Sequence, residues 1–229
     1  MCYLDRYLFL TLNPLVPRST FLPRVHPITR SVCYLVRLIF LRTLKPLVPR
    51  LDSYPEYTSS HVAVPPLLIF KAKHTNTAWI PAQTPKDWRF STSNSGWTSD
   101  SHGYEWLATV FEPSTRPEDP ATRRLLIMDG HSSHITANVI AFCMQKAIDL
   151  MILPPHCSHI LQPLDVGVFA PLKRALASET DAALRLDTGR MSRVEWVEMY
   201  IRAREKALTS SDIRGGWHGA GLVPLSPII

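Results

Sequence analysis

Two short apolar runs on either side of an amphipathic stretch restrict the fold of this chain more than any other feature. Residues 125–128 (LLIM) and 148–153 (IDLMIL) are typical of strands buried in a parallel sheet. Between them, residues 136–147 have helical spacing, with Thr136 as a good N-cap. A strand, a helix and a strand in this order form a βαβ unit. The sequence therefore predicts an α/β protein. The predicted buried stripe of the helix is Val139, Ile140, Cys143 and Ala147.

Weaker patterns predict the other elements of this part of the chain. Pro65 and Pro66 place any strand over 62–70 at an edge or a bulge, and Pro113 is expected to end a helix over 101–111. The remaining predictions are a loop with short pieces of structure over 71–100, helices over 163–178 and 194–208, and a loop rich in glycine and tryptophan over 213–224.

The first 60 residues differ from the rest in composition and contain a repeat. TLNPLVPR at 11–18 returns as TLKPLVPR at 43–50. Two copies are too few to build a solenoid, and the prolines disfavour both helix and inner strand. We therefore predict a poorly ordered, proline-rich basic segment over 1–60, with short helices at 3–10 and 33–43. A translated tandem repeat, a misjoined gene segment and a genuine module all remain possible origins.

Charge and cysteine content limit the partners and the compartment. The net charge is +6, but residues 1–60 hold eight Lys and Arg against three Asp and Glu, so the rest of the chain is nearly neutral. Basicity of residues 61–229 is therefore no argument for nucleic-acid binding. The four cysteines form no CxxC pair, which fits a reducing compartment. No apolar run approaches the roughly 20 residues of a membrane span, so we expect no membrane partner.

Asp129 and Asp165 are the candidate metal ligands. Asp129 directly follows a predicted buried strand, and ligands of open α/β sheets bind at that edge. Asp165 begins a predicted helix after a loop long enough to return to the same edge. Two converging carboxylates suit Mg²⁺, which takes oxygen ligands and fills its remaining positions with water and phosphate. On spacing alone, an Asp before Gly is more often a turn former, and an Asp at a helix start is more often a cap.

The sequence motifs around these aspartates resemble those of a known family. LLIMDGHSSH at 125–134 and LPPHCSHILQPLDVGVFAPLK at 153–173 are similar to the pogo-like branch of the DDE superfamily of endonucleases and transposases. That branch includes fungal pogo elements, Tigger and Jerky relatives, and centromere protein B. PPLLIFKAK at 65–73 and IRGGW at 213–217 extend the resemblance, which covers about residues 61–225. We expect that range to form a partial catalytic domain.

The resemblance implies a fold, a cofactor, a partner and a location. The fold is a ribonuclease-H-like mixed sheet with flanking helices, and the cofactor is Mg²⁺ (or Mn²⁺). The partner is DNA, which such domains cleave and join, and the location is the nucleus. Asp129 and Asp165 match the second and third acidic residues of the family's catalytic triad. The resemblance implies no particular oligomeric state.

The first acid of that triad has no counterpart in this sequence. The family carries it on an opening strand well upstream of PPLLIF, where this chain has its proline-rich repeat. Asp5 and Asp52 lack the family's flanking residues. We therefore expect the opening strands to be missing or replaced, the chain to be truncated at its N-terminal side, and catalysis to be impaired. An active Mg²⁺-dependent strand-transfer enzyme, a domesticated DNA-binding or scaffold protein, and a chain that never folds stably remain alternatives.

Several other residue types near the aspartates have two interpretations. Five His and Cys side chains could form a zinc site. The resemblance already accounts for the histidines, however, and hydrogen bonding around the predicted Mg²⁺ site is the favoured role of these side chains. Lys173 and Arg174 follow Asp165 by about two turns and either contact DNA phosphates or lie on a solvated helix face. The tryptophans at 79, 88, 97 and 106 are expected to pack rather than to stack on bases. The five are His131, His134, His156, Cys157 and His159.

Overall fold

Two small sheets form the centre of the protein. The structure, a computed structural model, describes residues 62–120, 122–130, 135–186 and 191–222, together with the backbone of residues 38–44. In this part of the chain a three-stranded sheet has the order β1-β4-β5, and a separate two-stranded sheet pairs β2 with β3 in parallel. The strands are β1 (Leu38–Leu44), β2 (Leu67–Lys71), β3 (Arg89–Ser93), β4 (Arg123–Met128) and β5 (Ile148–Ile152).

The predicted βαβ unit is confirmed. β4 and β5 are parallel, with Arg124 opposite Ile148 and Met128 opposite Ile152. The connecting helix α3 (Ala137–Gln145) begins after Thr136, whose hydroxyl accepts a hydrogen bond from the Val139 N–H at 3.3 Å. A mixed α/β fold, as predicted, follows from this unit and the helices around it.

The predicted burial is confirmed for two positions of α3 and is wrong for a third position of α3 and for one face of β5. Val139 and Cys143 are buried, but Ile140 is 41% exposed, because only a narrow stripe of this short helix faces the sheet. Ala147 leaves the helix with a positive φ of 51°. β5 was predicted to be buried on both faces, yet Met151 is 43% exposed, because β5 is an edge strand of its sheet among the described residues.

β1 contradicts the helix predicted over residues 33–43. Its residues pair antiparallel with β4, with Leu38 opposite Met128 and Leu41 opposite Leu125. The sequence LIFLRTL is rich in residues that suit a pleated strand, and the free edge of β4 supplies the partner that a local pattern cannot reveal. The predicted helix at 3–10 lies outside the described residues. The strand beside β4 thus comes from the repeat segment.

Two helical predictions needed correction. The helix over 101–111 continues past Pro113, since α1 (Asp100–Trp106) runs through a π-helical turn (Leu107–Phe111) into α2 (Glu112–Thr115). Pro113 directly follows the π-helical turn, where the regular α-helical hydrogen-bond ladder is already interrupted. The loop predicted over 213–224 is instead largely the helix α7 (Ser210–Gly219), which Thr209 caps.

The remaining helices agree with their patterns. Between α4 (Ser158–Leu161) and α5 (Phe169–Leu186) lies a π-helical turn, Leu164–Val168, which we call the Asp165 turn. The helix predicted over 163–178 therefore begins as expected but runs longer. α6 (Arg193–Ala207) matches the helix predicted over 194–208 and begins with a capping box of Ser192 and Glu195.

β2 separates the two larger apolar clusters. Leu68 and Phe70 face a cluster with Leu172 of α5 and Tyr200 of α6. The alternate residues of the strand, Leu67 and Ile69, face a cluster with residues of α1, β4 and α3. Trp88 and Trp106 are buried in these clusters, which confirms packing roles for both, and Trp79 packs edge-on against Phe70, whereas Trp97 is 37% exposed.

Candidate metal and nucleic-acid site

Asp129 lies at the carboxyl edge of the three-stranded sheet. It directly follows β4 and is partly buried. The Leu153 N–H donates to the Met128 carbonyl at 2.8 Å, so the segment that leaves β5 runs beside the segment that leaves β4. Gly130 lies against this segment, because a Cβ on it would be 3.5 Å from the Leu153 carbonyl oxygen. The backbone around Asp129 is therefore held by its neighbour at the sheet edge.

Asp165 lies in the first turn of a long helical segment. The short helix α4 leads to Gln162, which is fully buried, and the Val166 N–H donates to the Gln162 carbonyl at 3.0 Å. Pro163 then has a helical φ of −52° and starts the Asp165 turn. Asp165 itself is partly buried.

A small apolar cluster joins the two elements that carry these aspartates. Its buried members are Ile127, Leu153 and Trp217, which we call the edge cluster, and Leu164 packs against it. Ile127 precedes Asp129 by two residues, and Leu164 directly precedes Asp165. The structure therefore places both aspartate-bearing segments around one cluster at the carboxyl edge of the sheet. The metal role of the pair stays a prediction.

The donor chemistry at this edge fits a hard divalent cation. Two carboxylates suit Mg²⁺, which takes few protein carboxylates and fills its remaining positions with water and phosphate. Within the described ranges, no group of three or more His, Cys, Asp and Glu side chains is placed to hold a metal ion. β1, the strand next to β4, has the sequence LIFLRTL and contributes no carboxylate.

The zinc interpretation receives no support from the described residues. His156 and His159 are exposed and Cys157 is partly buried, and they belong to no such group of three. His131 and His134 lie outside the described residues. His156 has a φ of +64°, in the left-handed region, where the chain turns from Pro154 back toward α4. The family pattern, rather than zinc, remains the account of these histidines.

Lys173 and Arg174 lie on the solvent side of α5. Both are exposed, whereas Leu172 and Leu176 of the same helix are buried in the larger cluster with α6. The structure gives neither cation an ion pair with another described residue. By contrast, Arg202 and Lys206 of α6 both pair with Glu179. Lys173 and Arg174 therefore remain available to an anion, and their DNA contact stays a prediction.

The sequence patterns did not predict that α7 packs at this edge of the sheet. Trp217 is only 2% exposed and completes the edge cluster, although its segment was predicted to be a loop. The adjacent glycines 215 and 216 hid the helix, since glycine is a poor helix former. The available signal was the tryptophan, together with Ile213 four residues earlier, at helical spacing.

A family model identifies the family of most of the chain. A sequence model of the family described as DDE superfamily endonuclease matches residues 58–217. The MFS-type transporter clz9 of Cochliobolus lunatus is 38% identical over 167 residues, which are 73% of this chain and 18% of that protein. The Pogo transposable element with KRAB domain of Mus musculus is 26% identical over 116 residues, which are 51% of this chain and 18% of that protein.

A third relative shares a shorter stretch. The Pogo transposable element with ZNF domain of Homo sapiens is 27% identical over 96 residues, which are 42% of this chain and 7% of that protein. The chain thus spans less than a fifth of the length of each of these relatives. No solved structure matches the chain. Among the described residues, no helix combines the length and the apolar character needed to cross a membrane.

Proposed function

The chain belongs to the DDE superfamily endonuclease family, and from this premise we propose that it is a DNA-binding domain of transposase ancestry. The observation that carries this proposal is the meeting of the Asp129 and Asp165 segments around the edge cluster. We infer a ribonuclease-H-like arrangement of the sheet and helices. The two pogo-type relatives support this ancestry, and they support a nuclear location as part of the proposal.

Asp129 and Asp165 are the residues that would hold Mg²⁺ (or Mn²⁺). When bound, the cation neutralises charge on a DNA phosphate and lowers the pKa of a water molecule in its coordination shell. The chain's own contribution is to hold two carboxylates at one sheet edge. Leu164 anchors the Asp165 turn to the edge cluster, and the hydrogen bond between Leu153 and Met128 fixes the backbone that leads to Asp129.

Lys173 and Arg174 are the proposed DNA contacts. Lys173 follows Asp165 by eight residues, or about 12 Å along a helix axis, which is within the width of a DNA groove. Contacts of this kind bind phosphates without reading the base sequence, and they make affinity fall as salt rises. A Lys or Arg side chain that is already paired with an acidic side chain gains less binding free energy from a contact with a phosphate.

We propose that the chain binds DNA and cation without cutting DNA. The strand that lies beside β4, Leu38–Leu44, brings no carboxylate to the Asp129 edge. With two carboxylates, the site holds a cation weakly and leaves the phosphate less tightly positioned.

A cleavage and binding assay with labelled DNA tests this function. We expect no strand cleavage by the chain with Mg²⁺ or Mn²⁺, and we expect Asp129→Asn and Asp165→Asn each to weaken Mn²⁺ binding at least about tenfold. Cleavage that both substitutions abolish would instead establish an active enzyme. Unchanged Mn²⁺ binding in both variants would contradict the metal assignment.

The DNA contacts have a matched control on α6. We expect the double substitution Lys173→Gln and Arg174→Gln to lower the salt dependence of DNA binding by roughly two phosphate contacts. The double substitution Arg202→Gln and Lys206→Gln removes two cations that already pair with Glu179, so we expect it to change DNA affinity much less. An equal loss of affinity in both variants would show a general charge effect and would contradict a contact at Lys173 and Arg174.

A further inference from the structure

Helix α7 contacts the Asp165 turn backbone to backbone. A Cβ on Gly167 would lie 2.5 Å from the Gly216 Cα and 2.6 Å from the Gly216 nitrogen. A Cβ on Gly216 would lie 2.4 Å from the carbonyl oxygen of Pro163. Real Cβ atoms essentially never come within 3.0 Å of such neighbours. The contact therefore exists only because both positions are glycine.

The contacts of α7 lie on both sides of Asp165 in the chain. Gly216 faces Pro163, two residues before Asp165, and Gly167, two residues after it. Farther along the helix, a Cβ on Gly219 would lie 2.8 Å from the Val166 Cγ1 atom. α7 thus contacts the chain at Pro163, Val166 and Gly167, on both sides of Asp165.

The same helix is also fixed to the strand that leads to Asp129. Trp217 is buried beside Ile127 and Leu153 in the edge cluster. Successive residues of α7, Gly216 and Trp217, therefore contact the Asp165 turn and the end of β4. α7 therefore connects the two segments that carry the aspartates.

We propose that α7 is the positioning element of the metal site, with Gly216 and Gly219 as positioning residues that set the place of the Asp165 carboxylate relative to Asp129. This inference rests on the proposed function, because it takes both aspartates as ligands of one divalent cation. To restore ordinary contact with Pro163, a methyl group on Gly216 requires a shift of about 1 Å. Ligand sets tolerate only about 0.5 Å. The shift therefore changes cation affinity.

Gly215 and Gly216 provide a matched pair for the experiment. A Cβ on Gly215 meets no atom within 4 Å, so Gly215→Ala adds the same methyl group to the same helix without a collision. We titrate the full chain with Mn²⁺ and follow free Mn²⁺ by electron paramagnetic resonance. We expect Gly216→Ala to weaken Mn²⁺ binding about tenfold or more, and Gly215→Ala to leave it unchanged.

A second pair keeps the test informative if Gly216→Ala does not fold. Gly219→Ala collides with one methyl group of Val166, and Val166→Ala removes that group. We expect Gly219→Ala to weaken Mn²⁺ binding and the double variant Val166→Ala with Gly219→Ala to restore it. Circular-dichroism melting without metal identifies the variants that fold, and only these are compared. No weakening in a folded Gly219→Ala chain overturns the proposal.

Asp165→Asn separates this inference from the function on which it rests. If α7 acts through Asp165, Gly216→Ala has no further effect on Mn²⁺ affinity in a chain that already carries Asp165→Asn. Full additivity of the two substitutions overturns the positioning role. Unchanged Mn²⁺ binding in both Asp129→Asn and Asp165→Asn overturns the metal assignment on which the inference rests. Weakening by Asp165→Asn but not by Gly216→Ala overturns the inference alone.

Discussion

Cys143 shows how burial changes the chemistry of a single residue. Its side chain is 2% exposed on the inner face of α3, and desolvation raises the pKa of the thiol to about 11, although nearby Arg124 acts in the opposite direction. The reactive thiolate is therefore scarce in the folded chain at pH 8. In the unfolded chain the thiol ionises near pH 9, so its contribution to folding stability falls as the pH rises from 9 toward 11.

This predicts selective alkylation. We expect iodoacetamide at pH 8 to label the partly buried Cys157 in the native chain and to leave Cys143 unmodified, with both labelled in guanidinium chloride. Peptide mass spectrometry measures each site separately. Labelling of Cys143 at the rate of Cys157 in the native chain would contradict the buried position of Cys143 on α3.

Arg124 is a buried cation at the opposite end of β4 from Asp129. Its guanidinium donates to the Lys146 carbonyl at 2.7 Å and to the Thr115 hydroxyl at 3.1 Å, and it lies 3.9 Å from the Glu112 carboxylate. Glu112 is itself 5% exposed, and the hydrogen bond from Arg116 is the largest of several causes that keep its pKa below the usual range. Arg124 thus joins α2, β4 and the turn before β5.

We predict that Arg124→Met lowers the free energy of unfolding by about 3 kcal/mol, because it leaves buried acceptors without their donor. Arg123→Gln is the control, since Arg123 is 46% exposed and its pair with Asp149 is worth at most about 1 kcal/mol. Urea unfolding measures both. Equal losses in the two variants would contradict a special role for Arg124. Mn²⁺ affinity should not change, because the strand separates Arg124 from Asp129 by about 17 Å.

At the scale of elements, Glu179 connects α5 with α6. Its carboxylate accepts hydrogen bonds from Lys206 and from the Arg202 Nε, the latter at 2.8 Å. These hydrogen bonds, that of Lys206 first, hold the pKa of Glu179 below its usual range. The stability that this lowered pKa contributes is present above the ordinary pKa of a glutamate and is lost as the pH falls through the lower value of the folded chain.

We therefore predict a pH-dependent cost for Glu179→Gln. At pH 7 the substitution should lower the free energy of unfolding by about 1 kcal/mol, a modest amount because both cations are more than half exposed. At pH 3 the wild type and the variant should approach each other. Urea midpoints at the two pH values measure this, and an equal difference at both would contradict the ion pairs.

At the scale of the whole molecule, β1 ties the repeat segment to the rest of the chain. Residues 1–60 were predicted to be a separate, poorly ordered segment, and the boundary at residue 60 stays a prediction. Nevertheless, Leu38–Leu44 completes one edge of the sheet that carries Asp129. The sheet therefore depends on a strand that lies 79 residues before β4 in the chain.

Proline substitution tests this dependence. We expect Ile39→Pro to lower the free energy of unfolding by about 1–3 kcal/mol, because the fixed φ of proline does not suit a residue in the middle of the strand pair with β4. Ile39→Val retains the strand and should melt close to the wild type. If both variants melt at the same temperature, β1 does not stabilise the sheet in solution.

The sequence determined those features that depend on neighbours along the chain. The apolar run before Asp129, the helical spacing of residues 136–147 and the Thr136 cap predicted the βαβ unit, because strand and helix periods are local properties. The motifs around Asp129 and Asp165 likewise identified the family. Local patterns could therefore indicate which segments carry the candidate site.

Only the tertiary structure decided which distant segments meet. A helical pattern became β1 because the edge of β4 was free to pair. Ile140 is exposed because α3 presents only one narrow stripe to the sheet. The glycines before Trp217 favoured a loop by propensity, yet α7 forms because Trp217 packs in the edge cluster and Gly216 packs closely against the Asp165 turn. Contacts between segments far apart in sequence leave no periodic signal, so the packing of α7 against the Asp165 turn could not be predicted.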